Sequence, residues 1–263
     1  MRTLFAALAL AASGCLGAAP TFLEDAGLEG IEPSESRVDL EVAAPGVWVH
    51  TTYRDVQGFG RVLSNGIVVT SDGQALIVDA PWGDDPEKTT ATLLTRLRAD
   101  GLEVERAVFS HHHDDSVGGA PVFRRASVPM LATSRTADLM ATAGLDRPDS
   151  VLEGGEAWTL SVGERTVEVF DAGPGHTLDN VVVYVPHART LYGGCLIRPG
   201  GTTSLGNTAD ADIERWAESV ARVRDRYPDL EVVVPSHGPP GGPELLDQTI
   251  ALVENYRGRP VGG

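Results

Sequence analysis

Three histidines in succession, followed at once by two aspartates, break an apolar run at "VFSHHHDDSVGG", Val108 to Gly119. A histidine tag or low-complexity tract sits at a chain end and does not run on into aspartates and a Gly-Gly turn. Two readings remain, a polar exposed loop and a metal site. Further along, His176 follows "VFDAGPG", Cys195 closes "TLYGGC" and His237 closes "VVVPSHG". Each has a plain explanation when taken singly. His176 is a turn residue, Cys195 a small buried hydrophobe, His237 a loop residue and Asp115 a helix cap. Taken together they sit at the ends of separate strands, so all can converge on one edge of the sheets. Three imidazoles around zinc leave one position open for water, whose pKa falls to about 7 on binding. A carboxylate, a thiolate and an imidazole can hold a second ion, the thiol losing its proton to the metal. In an extended segment alternate residues point to one side, so His111, His113 and Asp115 share a direction and His112 does not.

The strands that must present these residues are legible from periodicity. "GVWVHTTY" reads as one strand, and "NGIVVTSDGQALIVDAPW" as a hairpin turning at Asp72-Gly73. Residues Lys88 to Asp100 have helical spacing and stop at Gly101. "VERAVFS" leads as a strand into the histidines, and a short helix is expected over Ser134 to Ala143. A second hairpin spans "AWTLSVGERTVEVFDAGPGH", and "NVVVYVPHARTLYGGC" supplies two more strands. Ile213, Trp216, Val220, Val223 and Tyr227 fall on one helical face. "LEVVVPSHG" is a buried strand and Glu244 to Tyr256 a last amphipathic helix. Two similar halves of this kind predict an α/β protein of four layers, two sheets covered by outer helices.

The 263 residues, 42% of them hydrophobic, suffice for one sizeable core. A formal charge of -16 argues against nucleic acid and anionic membrane surfaces as electrostatic partners. Residues 1–14 read as an export signal, with Arg2 as its basic start and Leu4 to Ala12 as an apolar stretch too short to span a bilayer. "ASGC" resembles a lipoprotein cleavage site, which makes Cys15 a lipid acceptor; ordinary cleavage near "LGAAP" is the alternative. Residues 15–37 then form a linker and 38–263 the folded domain. Cys15 and Cys195 are the only cysteines. With Cys15 removed or acylated, Cys195 is a lone thiol in an exported protein, and metal ligation explains its presence.

With these residues assembled, the chain resembles the metallo-β-lactamases, specifically the di-zinc subclass with a cysteine in its second site. "SNGIVV", "LIVDAPWG", "HHHDD", "GPGHTLDNVVVYVP", "LYGGCLI" and "LGNTADAD" carry the likeness, in order, from about Gly46 to Tyr256. The histidine–aspartate motif marks only the superfamily; the cysteine after Gly-Gly and the asparagine of "LGN" narrow it. The resemblance implies an αββα sandwich and two Zn²⁺, with His111, His113 and His176 on the first ion and Asp115, Cys195 and His237 on the second. It implies hydrolysis of small-molecule β-lactams in the periplasm, with Asp115 and Asn207 catalytic and Asn207 beside the lactam carbonyl. Asp79 would orient the reacting groups from behind. "YRDVQGFGRV" falls where the family has a flap over substrate, with Phe59 as its apolar tip.

Three positions depart from the family pattern. Arg198 stands where a lysine is usual and still suits a substrate carboxylate. Ser116 replaces a frequent arginine, removing a charge beside the second metal, and His112 adds a titratable group. No Ser-x-x-Lys is present to serve a serine β-lactamase. Two other readings are a hydrolase of the same fold acting on lactones, thioesters or phosphodiesters, and a lipoprotein that holds zinc without turnover. The first group typically carries histidine at the position of Ser116; a storage protein needs neither Asn207 nor a cation at Arg198. With both cysteines engaged, a monomer is expected.

Overall fold

The computed structural model describes Arg37 to Gly258. The expected export signal, Cys15 and the linker up to Ser36 lie outside the described residues. Seven strands, β1 (Asp39–Ala44), β2 (Val47–Val56), β3 (Gly60–Ser71), β4 (Gln74–Val78), β5 (Glu103–Val108), β6 (Met130–Thr133) and β7 (Ser150–Leu152), form one sheet in chain order. The second sheet holds β8 (Ala157–Val162), β9 (Arg165–Phe170), β10 (Val182–Val185), β11 (Thr190–Gly194) and β12 (Val232–Pro235), ordered β12-β11-β10-β9-β8.

The hairpin expected at Asp72-Gly73 forms because both residues accept positive φ, 51° and 77°, the pair of values a two-residue turn of matching twist requires. It joins β3 to β4 antiparallel, whereas β4, β5, β6 and β7 run parallel to one another. Parallel strands need covering on both faces, and the sequence supplies the apolar residues for it. Along β4, Ala75 and Ile77 pack in the outer core, while Leu76 and Val78 pack between the sheets. Along β10 and β11 the same alternation puts Val182, Tyr184 and Leu191 outward and Val183, Val185 and Tyr192 inward.

Helices close both outer faces. Helix α1 (Pro86–Ala99) starts at Asp85, whose carboxylate accepts from the Lys88 N–H, with Pro86 in the first turn, and gives way to Gly101 at φ 77°. Short helices α2 (Asp114–Val117) and α3 (Ala120–Arg125), then α4 (Ser134–Thr142), pack on the same side. On the other side α5 (Ile213–Arg226) buries Trp216, Val220 and Val223, and α6 (Glu244–Arg257) buries Leu245, Leu246 and Val253. The result is the four-layer αββα sandwich the pattern implied. Strands β1, β6 and β7 and helices α2 and α3 carry no periodicity long enough to announce them, being six residues or fewer. None of the described helices is long and apolar enough to cross a membrane.

Candidate metal centre

The histidine motif begins where β5 ends, but it is not one extended segment. His113 is extended at φ -71° and ψ 157°, and Asp114 to Val117 then coil into the single turn of α2. Asp115 therefore reaches the cluster from a helix rather than by strand alternation. The turn brings its Oδ1 within 3.3 Å of His111 Nε2, a spacing of four residues. His176 likewise stands in the loop beyond Phe170, not on a strand end. Cys195 does follow β11 directly, and His237 stands one residue beyond the end of β12.

His111, His113 and His176 form a propeller. Their ring centroids lie 4.9, 5.3 and 5.0 Å apart and their planes are tilted by 74°, 78° and 87°, so the three rings meet edge to face around one point. His113 Nδ1 and His176 Nε2 face each other at 3.1 Å. His111 Nε2 is buried and, although Asp115 is near, has no partner in hydrogen-bonding geometry, a state a buried imidazole nitrogen rarely keeps without a ligand. Its other nitrogen sits 3.1 Å from Ser110 Oγ. Trp216 supports His176 at 5.9 Å between ring centroids, its own N–H donating to the Leu196 carbonyl at 2.7 Å.

The second group is tighter. Asp115 Oδ2 lies 3.1 Å from His237 Nε2 and 3.3 Å from Cys195 Sγ, and Sγ lies 3.5 Å from His237 Nε2. His237 Nδ1 is 2.8 Å from the Leu63 carbonyl, which fixes the proton there and leaves Nε2 free to bind. Burial pushes the Asp115 carboxyl up, but His111 and His237 outweigh it and hold it well below the usual range. Burial and Asp115 push the Cys195 thiol up, yet the imidazoles of His237, His176 and His111 hold it well below its ordinary value. An ionised carboxylate and thiolate among imidazoles are a donor set suited to zinc. Among the described residues, three-donor groups close enough to share an ion are His111 with His113 and His176, His111 with Asp115 and Cys195, and the more exposed His112 with His113 and Asp210. The residues fit the metal the sequence implied.

The sequence singled out no partner for His113. In the fold Asp210 takes that place, its Oδ2 lying 3.0 Å from His113 Nε2, so the ring's Nδ1 is left for the metal. Nothing in the spacing could have paired residues so far apart in the chain. His112 is not one of the three propeller rings, although its ring centroid lies 4.6 Å from that of His113; it pairs instead with the buried carboxylate of Asp179 at 3.0 Å. Ser116 is not a mere gap left by a missing arginine: it is buried and donates its hydroxyl to Asp79. Asp79 is buried at φ 61°, a strained value for a non-glycine, and also accepts from the Ser110 N–H and hydroxyl at 2.6 Å each.

A cavity of about 420 Å³ opens over both groups. Phe59, at the tip of the β2–β3 hairpin and 60% exposed, lines it with Val56, Val62 and Trp82. Arg54 in β2 pairs with Asp114 and stacks on Trp82 at 5.2 Å, tying the hairpin to the histidine motif. Arg198 and Asn207 line the opposite wall. Arg198 is 9% exposed, its Nε has no acceptor, and burial lowers its pKa. Gly206 lies flat against the guanidinium, since a Cβ there would come within 3.2 Å of it. Asn207 Oδ1 accepts from the Ala209 N–H at 3.1 Å, so its amide NH₂ is the end available to a ligand.

The family model described as "Metallo-beta-lactamase superfamily" matches residues 59–237. A "Metallo-beta-lactamase type 2" of Pseudomonas aeruginosa is 34% identical over 211 residues, 80% of this chain and 82% of that protein. Its counterpart in Bacteroides fragilis is 32% identical over 212 residues, 80% and 83% of the two chains. The solved structure of a metallo-beta-lactamase from Pontibacter korlensis is 38% identical and superposes with a TM-score of 0.78, covering 83% of this chain and 100% of that one.

Proposed function

The chain belongs to the metallo-beta-lactamase superfamily, and from that premise we propose that it is a zinc-dependent hydrolase opening the amide of β-lactams. The observation that supports this best is the convergence of six donors with the buried His111 Nε2 left without a hydrogen bond. His111, His113 and His176 would hold one zinc, and Asp115, Cys195 and His237 a second. Zinc held there supplies a Lewis acid and a nucleophile from water near neutral pH.

The chain's own residues then supply binding and orientation. Arg198 pairs with the ring carboxylate of the substrate, which fixes the angle of attack. The Asn207 amide, turned by its bond to Ala209, donates to the lactam carbonyl oxygen as negative charge develops there. Asp115, held ionised, would orient the attacking water by accepting its hydrogen bond at Oδ1, and the water's proton would pass on to the lactam nitrogen as the amide C–N bond breaks. Asp210 keeps the His113 proton on Nε2 throughout. Phe59 and Trp82 cover the apolar parts of the substrate and exclude bulk water. Penicillins, cephalosporins and carbapenems all present the amide and carboxylate this wall requires.

Hydrolysis of nitrocefin by purified protein, its loss to a chelator and its return with zinc test the reading. Absence of turnover in zinc-saturated protein would leave the storage role, and turnover of lactones or thioesters alone would leave the related hydrolases. We also propose that residues 1–14 export the protein to the periplasm, that Cys15 is acylated and that the domain from residue 38 acts as a monomer. Release of a Cys15→Ala protein into the soluble periplasmic fraction would support the anchor, and mass by light scattering tests the monomer.

A further inference from the structure

Each proposed zinc site draws ligands from both sheets, so the register between the sheets sets the ligand geometry. His111, His113 and Asp115 belong to the first sheet's side, whereas His176, Cys195 and His237 follow strands of the second. One buried phenol spans that seam. The Tyr192 hydroxyl on β11 lies 2.7 Å from Asp79 Oδ2, 2.9 Å from the Asn65 carbonyl and 3.0 Å from Ser236 Oγ. Its one proton has two acceptors, and the carboxylate, when ionised, is the stronger. Ser236 then donates to the phenol oxygen.

The partners of this hub are neighbours of the ligands. Asp79 also takes the hydroxyls of Ser110 and Ser116, and these residues adjoin His111 and Asp115. Ser236 precedes His237, and its N–H donates to the Gly194 carbonyl, next to Cys195, at 3.0 Å. Asn65 completes the link by donating its backbone N–H to the Ser236 carbonyl at 2.7 Å and its amide to Pro235 and Gly238 at 2.9 and 2.7 Å. Every segment but the His176 loop is therefore tied, directly or through one residue, to the same phenol.

We propose that Tyr192 is a positioning residue for the metal centre, its hydroxyl holding the Asp79 end of one sheet against the Ser236 end of the other. The proposal rests on the reading of these donors as zinc ligands, but not on the identity of the substrate. A purely packing role would make the phenol oxygen a satisfied group in the inter-sheet core and nothing more. The two differ in what the metal reports.

The test is a cobalt(II) titration of chelator-stripped protein, followed through the charge-transfer absorption of the Cys195 thiolate. In Tyr192→Phe, which keeps the ring and removes the hydroxyl, the band should need about tenfold to a hundredfold more free cobalt to saturate. Ser236→Ala should move the titration the same way by a smaller factor, since Asp79 keeps its phenolic donor. Superimposable titrations of wild type and Tyr192→Phe, with only the melting temperature changed, would overturn the proposal. Should Tyr192→Phe fail to fold, an unshifted titration in Ser236→Ala would overturn it equally. A wild-type protein that binds cobalt normally but leaves nitrocefin intact would sink the proposed activity and leave this inference standing.

Discussion

Removal of the Arg198 guanidinium should weaken catalysis and strengthen the fold together. The side chain is 9% exposed, its Nε has no acceptor, and no carboxylate among the described residues pairs with it. Burial lowers its pKa, with only the Cys195 thiolate pulling the other way. The free protein thus holds a cation short of counter-charge, which a substrate carboxylate would supply. A charge-assisted contact of this kind contributes about 1.5–3 kcal/mol, so Arg198→Met should lower kcat/KM by roughly tenfold to a hundredfold. Replacing an uncompensated buried cation by an apolar chain of similar length removes a desolvation cost, worth on the order of 1 kcal/mol of added stability. The backbone N–H of the residue, bonded to Thr249 Oγ1 at 2.9 Å, is untouched by the change. The assay compares a β-lactam acid with its methyl ester, alongside thermal melts and zinc content. A clamp predicts a large loss on the acid and a small one on the ester. Equal losses on both, or a variant that melts earlier at normal zinc content, would refute the reasoning.

Cys195→Ser should cost the second ion and most of the activity while leaving the fold intact, because a hydroxyl is a poor substitute for a thiolate on zinc; unchanged metal content at saturating zinc would count against it. His112→Ala should retain its metal, unlike His113→Ala, but lose about 1–3 kcal/mol by stranding the buried Asp179 carboxylate; urea melts paired with zinc analysis check both halves. Asp210→Asn should leave the fold unaltered and cut activity about tenfold or more by loosening the His113 ring, which activity at matched zinc content measures. His50 is buried, its Nε2 lies 3.1 Å from the Asp79 carbonyl, and burial pulls its pKa down to about 4. Because the unfolded ring titrates near 6.5, the folded state binds fewer protons between the two values. Stability from this group is therefore whole above pH 6.5 and falls as the pH drops toward 4, by about 3 kcal/mol in all. His50→Gln should flatten that part of the urea-midpoint profile between about pH 7.5 and 4, and a profile parallel to wild type would remove His50 as the cause.

What could be read from the sequence follows the range of each interaction. The sandwich was legible because β3, β4, β10 and α5 are long enough, or apolar enough on both faces, for their periodicity to stand out. The six donors were legible because histidine, cysteine and aspartate beside glycine turns are unusual at the ends of apolar runs. The geometry of the motif was not, since the single turn of α2 is too short to leave a pattern, and it carries Asp115 where alternation would not. The supporting partners were hidden for another reason. Asp210 meets His113 across 97 positions, Asp179 meets His112 across 67, and Tyr192 meets Asp79 across 113. Each is an ordinary residue type in an ordinary local context, so only the closure of the two sheets gives it meaning. Ser116 shows the point most sharply. As a departure from a family pattern it looked like a lost charge, yet in the fold its hydroxyl joins Ser110 and Tyr192 on one strained, buried carboxylate. Ser116 is thus a donor that helps satisfy the buried Asp79 carboxylate, and not only a position that lacks a charge.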